Sequence, residues 1–446
     1  MNFYKNNTII SVNEFKKIAK SDPFKSFLLN GFGLILMFVQ QIVFARILGE
    51  NDFGIYSFIQ SIYAISTIIT TWGMTTLSSR EIGAIENAGL KKGFYLFSHF
   101  LVILLNLIMG IIIINISNNF EMLDELENLK IIFIFSSIFF YLKSFHEILS
   151  VQYQAEGYTI MSKLSSNIIP IVLSILVTII YNIFCEKLNL SIFFLCLSVA
   201  LFFSALFVML IKKPDFFHIK KVKMSFEIKA WIKSGLYLMA LSGLYIVLGR
   251  LNSFIIGIYL EPKLVGYYSV CLSLSALVLF GLNATNQVLA PKIAKSYKNS
   301  DQIEFQALIL KSTKIGLIST TIFILALLIF GKFVLSLFGE EFKNSFPVLV
   351  ILSLGYLASI IAGPVGLSLT MTGREKLVIL FTCLAAIVNF ILSIVWVTDY
   401  GIIGVAYANA IGLVLLNVPL AIYVKYKFNY RTYVSFKKDF IKKVRE

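Results

Sequence analysis

Charge is what this sequence has least of. Only 14% of its 446 residues are charged, while 58% are hydrophobic, and the mean hydropathy is +0.84. Soluble domains are roughly a quarter charged, so this chain could not cover a water-facing surface. Cysteine is also scarce: Cys185, Cys196, Cys271 and Cys383 are scattered without a CxxC pair. That excludes a disulfide framework or a thiolate metal site and leaves small buried hydrophobes. The three histidines are far apart, and no Walker, HExxH or Rossmann glycine pattern occurs. No catalytic centre, metal or organic cofactor is expected, and the chain by itself cannot hydrolyse ATP.

What is present is apolar residues in long blocks. A hydrocarbon core of about 30 Å takes roughly 20 helical residues to cross, and twelve stretches qualify. In the first half they lie near residues 27–47, 54–74, 93–115, 130–150, 162–184 and 190–211. In the second they lie near 234–257, 265–287, 310–331, 347–369, 377–397 and 401–424. Runs such as IIFIFSSIFF do not alternate, so a lipid-spanning β-barrel is excluded. The expected fold is an all-α integral membrane protein of twelve transmembrane helices.

Two related halves are visible. The stretch FARILGENDFGIYSFIQSIYAISTIITTWGMTTLSSR returns at a constant offset of 212 positions. Gly54 pairs with Gly266, Tyr56 with Tyr268, Ser57 with Ser269 and Arg80 with Lys292. The chain is read as two related six-span halves, residues 1–211 and 234–424. A basic cytoplasmic linker, 212–233, joins them, and a basic tail covers 425–446.

Most of the 39 basic residues fall at the termini and in the even-numbered loops. The odd-numbered loops hold only Arg46, Lys130, Lys187, Lys263, Lys332 and Lys343. By the positive-inside bias both termini are cytoplasmic. Anionic headgroups beside the spans account for the +15 net charge, and nucleic acid is not expected as a partner. Residues 1–26 are expected to be a cytosolic segment rather than a cleaved leader. The acidic loop with Glu121, Asp124, Glu125 and Glu127 is read as a short outer surface helix. After Pro214, the linker is read as lying on the inner membrane surface, with Phe216, Phe217, Val222, Phe226 and Trp231 dipping in.

Ionisable groups at membrane depth are costly and usually face a cavity. Arg250 lies in span seven. Lys143, His146 and Glu147 lie in span four, where spacings of three and four put them on one side and let Lys143 pair with Glu147. Arg46 closes span one. Asn30, Gln40 and Gln41 form a polar stripe on that helix, and the offset maps them onto Ser242, Asn252 and Ser253, so both halves present cavity-lining polar groups on their first helix. Arg46 and Lys143 could also simply reach to headgroups. Glu147 and His146 are candidates for charge pairing or ion coupling. His99 is a packing residue or a proton sensor. Gly54, Gly266 and Pro364 are the candidate hinges. The net positive charge of Arg250 and Lys143 against Glu147 suits an anionic cargo.

Several motifs then point to a family. QQIVFARILGENDFGIYSFIQSI resembles the opening segment of the polysaccharide transporters of the lipid-linked oligosaccharide flippase kind. These belong to the multidrug/oligosaccharidyl-lipid/polysaccharide exporter superfamily. SVQYQAEGYTIMSK, SLTMTGREK and YGIIGVAYANAIG support the resemblance, which covers essentially the whole chain. It implies two six-helix bundles related by pseudo-two-fold symmetry around a V-shaped cavity that opens alternately to each side. It also implies a polyprenyl-(pyro)phosphate-linked glycan as cargo, carried to the outer leaflet of a bacterial inner membrane. On this sequence the phosphate would fall to Arg250, Lys143 and Arg46. Membrane lipids, a glycan polymerase and other envelope-assembly proteins would be partners of a monomer. Coupling to Na⁺ or H⁺ stays open, as do a multidrug exporter of the same superfamily and a lipid II flippase.

Overall fold

The computed structural model describes residues 22–117, 129–185, 188–211 and 222–433. The acidic third loop, the first part of the linker, residues 1–21 and the tail beyond Tyr433 lie outside the described residues. Among the described residues all regular structure is helical. The first half holds α1 (Asp22–Thr71), α2 (Met74–Ala84), α3 (Ala88–Ile116), α4 (Leu129–Ala155), α5 (Thr159–Lys163), α6 (Ile169–Phe184) and α7 (Leu190–Ile211). A π-helical turn at Leu164–Ile168 joins α5 to α6. The second half holds α8 (Ile228–Tyr259), α9 (Pro262–Ala276), α10 (Phe280–Lys298) and α11 (Gln302–Ser336). It ends with α12 (Phe346–Ile361), α13 (Val365–Met371) and α14 (Glu375–Phe428).

Nine of the described helical stretches are long and apolar enough to cross a membrane, and the bent helix α8 makes a tenth. Two are double. α1 is interrupted by non-helical backbone at Gly49 (φ 76°, ψ 175°), and α14 by Gly401 (φ 56°, ψ −142°). In α14 the chain folds back on itself, because Gly412 lies against Asn389, far outside the reach of one straight helix. Counting these legs separately accords with twelve expected spans.

Helix α11 shows why such sequences fold in lipid. Ile318, Ile322, Leu325, Ile329 and Phe333, spaced by three and four, are all exposed. The opposite side buries Ser312, Thr313, Gly316, Thr320 and Gly331. Small residues let helices approach, while the bulky apolar side faces hydrocarbon. Buried hydroxyls bond back to their own helix, as Ser57 does to the Phe53 carbonyl at 2.8 Å and Ser144 to Phe140 at 3.0 Å. These two hydroxyls are thereby satisfied without water.

The chain divides into two compact units. One comprises Met1–Ile47, Ile69–Ser117 and Glu127–Met239, the other Leu48–Ile68, Asn118–Leu126 and Ala240–Glu446, so far as these are described. Most of the second span, up to Ile68, therefore groups with the second half of the sequence. The core of the first unit brings α2, α3 and α4 together through Met74, Leu77, Phe94, Phe97 and Ile148. Trp231 belongs to that core at 2% exposure, edge-on to Phe94 at 5.2 Å. The expectation that Trp231 dips into the membrane surface is thus corrected, although Val222 and Phe226 are exposed. The stretch before α8 is instead held to the start of α3, where the Ser225 amide bonds the Gly89 carbonyl at 3.2 Å. The second unit packs α10, α11, α13 and α14 around Leu289, Phe305, Ile309, Leu369 and Leu420.

Candidate functional site

In the first unit the polar groups gather on α1, α4 and α6. Gln40 Nε2 donates to Ser174 Oγ at 2.5 Å, so one end of the first-helix stripe is tied to α6. Asn30, Gln41 and Arg46 keep accessible surface, Arg46 the most. On α4, Lys143 and Glu147 stand one turn apart and interact electrostatically. Glu147 is exposed and Lys143 partly so, and the Lys143 ammonium lies 5.7 Å from the Phe140 ring centre.

His146 parts company with that pair. It is buried at 3% exposure, with Nδ1 3.0 Å from the Ser165 carbonyl and Nε2 3.0 Å from the Leu201 carbonyl. The ring therefore links the π-helical turn to α7. The expectation that His146 shares the face of Lys143 and Glu147 is corrected: it points into the bundle. His99 contacts Gln152 at 3.1 Å, and Gln152 Nε2 donates to Ser98 at 3.4 Å. Beside this group Tyr95 donates its hydroxyl to the Glu156 carboxylate. Sequence reasoning missed Tyr95 and Glu156, although Glu156 lies within the quoted SVQYQAEGYTIMSK.

In the second unit Arg250 is half-buried and interacts electrostatically with Tyr56. Tyr56 in turn accepts a short hydrogen bond from Gln60. Among the described residues no carboxylate lies within ion-pair distance of Arg250. Tyr56 was visible in the opening motif, and its counterpart Tyr268 in the repeat; what was missing was that Tyr56 packs beside the arginine.

The second-half stripe behaves differently from the first. Asn252 and Ser253 are each 1% exposed and line no open cavity, which corrects the expectation for both. Asn252 Nδ2 donates to Tyr268 Oη at 3.0 Å, and Ser393 Oγ donates to Asn252 Oδ1 at 3.1 Å. Ser253 sits 3.5 Å from Ser269. Ser242 keeps partial exposure.

The candidate hinges also resolve into distinct roles. Gly54 has helical backbone, and a Cβ there would stand 1.9 Å from the Pro262 carbonyl oxygen. A Cβ on Gly266 would meet Gly54 itself at 3.3 Å. The two glycines form a crossing at which backbones touch, and the break in the helix is at Gly49 instead. Next to that break, Tyr267 donates its hydroxyl to Glu50. Pro364 does sit at a break: α12 stops at Ile361, Gly363 has φ 81°, and α13 starts at Val365.

The comparisons with known proteins agree with one another. The family described as polysaccharide biosynthesis protein matches residues 22–297. The capsular polysaccharide biosynthesis protein CapF of Staphylococcus aureus is 32% identical over 165 residues, 36% of this chain and 41% of CapF. The probable low-salt glycan biosynthesis flippase Agl15 of Haloferax volcanii is 24% identical over 181 residues, 40% of this chain and 38% of Agl15. The chain thus spans about two-fifths of the length of these curated relatives. Among solved structures, the lipid II flippase MurJ in an inward closed conformation superposes with a TM-score of 0.70 at 18% identity, over 89% of this chain and 87% of MurJ. An inward-facing multidrug resistance MATE family transporter of the MOP superfamily gives 0.74 at 14% identity, over 89% and 94%. These likenesses establish the multi-pass membrane fold.

Proposed function

The chain belongs to the polysaccharide biosynthesis protein family, and from that premise we propose that it is a flippase for a polyprenyl-phosphate-linked oligosaccharide. The cargo would pass from the cytoplasmic to the outer leaflet of a bacterial inner membrane by alternating access, with both termini in the cytoplasm. The relatives named for capsular polysaccharide and glycan biosynthesis support this cargo class. The observation that carries it is Arg250, a guanidinium within a span, beside the Tyr56 phenol and without a carboxylate partner among the described residues.

A sugar-phosphate headgroup cannot cross hydrocarbon unaided, because buried charge and unpaired hydroxyls cost several kcal/mol each, about 2–7 for a hydroxyl alone. Arginine offers a planar fork that matches phosphate oxygens. Within the first unit Lys143 is a further cation, tempered by Glu147. Accessible amides on α1, Asn30 and Gln41, and the serine Ser242 can replace part of the hydration of the sugars. No covalent bond changes, so no catalytic residue, metal or cofactor is required. Affinity for the cargo must differ little between the two end states, or it would be trapped in one of them.

The rival is a cation-driven multidrug exporter. It would use accessible carboxylates within the spans, and Glu147 is such a group, though its charge is offset by Lys143. Vesicle assays separate the two. In proteoliposomes the wild-type chain is expected to translocate polyprenyl-phosphate glycan and to leave cationic dye gradients untouched. The Arg250→Gln/Lys143→Gln double variant is expected to lose glycan translocation by tenfold or more, about 1.4 kcal/mol for each factor of ten. Normal glycan flipping by that variant would remove the cationic-site reading. Dye efflux without glycan transport would establish the exporter. Repeating the assay with and without a Na⁺ or H⁺ gradient decides the coupling.

A further inference from the structure

Away from the charged spans, the second unit holds a separate cavity of about 680 Å³. It lies where the end of α10, the start of α11, the α13–α14 turn and the end of α14 converge. Ligand pockets commonly measure about 300–1,000 Å³, so the space is large enough for a small headgroup. Its distinguishing feature is Arg374. The guanidinium lies 3.7 Å from the centre of the Phe428 ring, and Nη2 donates to Tyr297 Oη at 3.2 Å. The planar fork is thereby held in place before any ligand arrives, which reduces the cost of binding.

The charge of this wall is unbalanced. Lys298 and Lys427 line the same cavity as Arg374, against the single carboxylate of Asp301. Asp301 is already engaged, because its Oδ1 accepts the Glu304 amide at 2.9 Å and caps α11. No carboxylate stands within ion-pair distance of Arg374 among the described residues. Tyr430 closes the inner wall, where burial raises its phenol above the ordinary value and keeps it a neutral hydrogen-bonding group.

The level of the cavity in the bilayer follows from α14. After its last apolar turn, Tyr423 and Tyr426 are exposed, and Lys425 and Lys427 follow among them. Exposed tyrosines interleaved with lysines mark the boundary between hydrocarbon and headgroups. A fixed arginine flanked by two lysines at that depth faces the phosphates of the lipids themselves, and the positive-inside bias puts it on the cytoplasmic leaflet, which is rich in anionic lipid.

We propose that this cavity binds the phosphate of an anionic phospholipid headgroup, with Arg374 as the fixed donor and Lys298 and Lys427 as the flanking charges. The bound lipid joins three helix ends, those of α10, α11 and α14, and so stabilises the second unit whatever cargo the protein carries. Free phosphate shares the recognised chemistry but lacks the anchor that holds a lipid at this depth.

The test uses the purified full-length chain in detergent. The probes are phosphatidylglycerol, phosphatidylcholine and inorganic phosphate, read by native mass spectrometry and by the thermal unfolding midpoint. Phosphatidylglycerol is expected to remain bound at one tight site and to raise the midpoint, while the other two do neither. The Lys298→Gln/Lys427→Gln variant changes only exposed side chains. It is expected to bind about fivefold more weakly for each lysine removed. Arg374→Lys, which keeps the charge but loses the stacked fork, is expected to weaken binding as well. Equal retention of phosphatidylcholine, or variants that hold phosphatidylglycerol as tightly as the wild type, would overturn the site. A midpoint shift with inorganic phosphate as large as that with the lipid would overturn the lipid as its occupant.

Discussion

The first two helical legs of each half follow one plan and finish it differently. In the first half the plan breaks at Gly49, in left-handed backbone with φ 76°. In the second the equivalent position is Glu261, extended at φ −60° and ψ 148°, followed by a proline that opens α9. Gln40 reaches out to Ser174 and stays half-buried, whereas its counterpart Asn252 is sealed between Tyr268 and Ser393. Tyr56 sits beside Arg250, while its counterpart Tyr268 faces Asn252. The repeated plan is thus asymmetric: one copy keeps Gln40 and Gln41 partly accessible, and the other turns Asn252 and Ser253 into packing. The fourth spans diverge in a similar way. Both end on a glycine with positive φ, Gly157 and Gly373, and the same closing bond, from Tyr158 to the Tyr153 carbonyl and from Arg374 to the Leu369 carbonyl. Yet α4 runs unbroken over Leu129–Ala155, while its counterpart is divided at Gly363 and Pro364.

The crossing of Gly54 with Gly266 is where this comparison can be broken most forcefully. Equivalent glycines meet there, but not equivalently. Gly54→Ala would drive a Cβ to 1.9 Å from the Pro262 carbonyl oxygen, which only backbone movement can relieve. Gly266→Ala would place one 3.2 Å from the Phe53 ring and 3.3 Å from the Gly54 backbone, contacts that a shift of a few tenths of an ångström relieves. We expect Gly54→Ala to lower stability by about 3 kcal/mol and Gly266→Ala by less than about 1 kcal/mol. Denaturation of the purified protein in detergent measures both. Equal losses would mean that the two sides of the crossing are packed alike.

The next contrast is between the two amides. Asn252→Ala removes a side chain that satisfies both the Tyr268 hydroxyl and Ser393 in a buried setting. The expected loss is about 2 kcal/mol, because two buried bonds of roughly 1 kcal/mol each go at once, although Ser393 Oγ keeps its bond to Asn389 Oδ1 at 3.2 Å. Gln40→Ala breaks a half-buried bond whose partner Ser174 also donates to the Ile171 carbonyl at 2.7 Å, so about 0.5 kcal/mol is expected. Transport is expected to respond in the opposite order, with Gln40→Ala the more harmful if its amide meets cargo. Parallel unfolding and vesicle assays test that inversion. A stability loss for Gln40→Ala equal to that for Asn252→Ala would cancel the asymmetry.

Much of this architecture was legible before any coordinates, for physical reasons that also explain the gaps. Spans of about 20 apolar residues are imposed by the thickness of hydrocarbon, and the repeat around Gly54 and Gly266 exposed the duplication. Arg250 stood out because charge within a span is costly. What stayed illegible depended on partners distant in sequence. Nothing local distinguishes Asn252 from Gln40; Ser393, from the far end of the second half, seals the one. Trp231 reads as an amphipathic surface residue until Phe94 is seen against it. Gly54 reads as a hinge in the sequence, but which glycine bends and which allows contact is decided by Pro262 across the crossing. The cavity around Arg374 was hidden for the same reason, since its walls come from four separate helix ends.

The smallest contrast concerns the broken fourth span of the second half. The stretch after α14 is bonded into that break. Thr432 donates to the Ala362 carbonyl at 2.6 Å and accepts from Thr313 through its own carbonyl at 2.6 Å. Gln306 brackets Arg431, donating to its carbonyl at 2.6 Å and accepting from its amide at 2.8 Å. The Ala362 carbonyl lies where α12 has ended, so the threonine hydroxyl supplies a bond that the broken helix cannot. Thr432→Val keeps the shape and removes the donor, for an expected loss of about 1 kcal/mol; Thr432→Ser, which keeps the hydroxyl, should lose less than about 0.5 kcal/mol. Hydrogen exchange is the sharper readout, because the Gly363 amide bonds the Ile360 carbonyl in the last turn of α12 at 2.9 Å and the Val365 amide bonds the Gly363 carbonyl at 2.8 Å, so both report on the break. Their exchange should quicken in Thr432→Val while the amides in the middle of unbroken α4 stay as protected as in the wild type. If both respond alike, the stretch after α14 supports the unit as a whole, and the break has no special dependence on it.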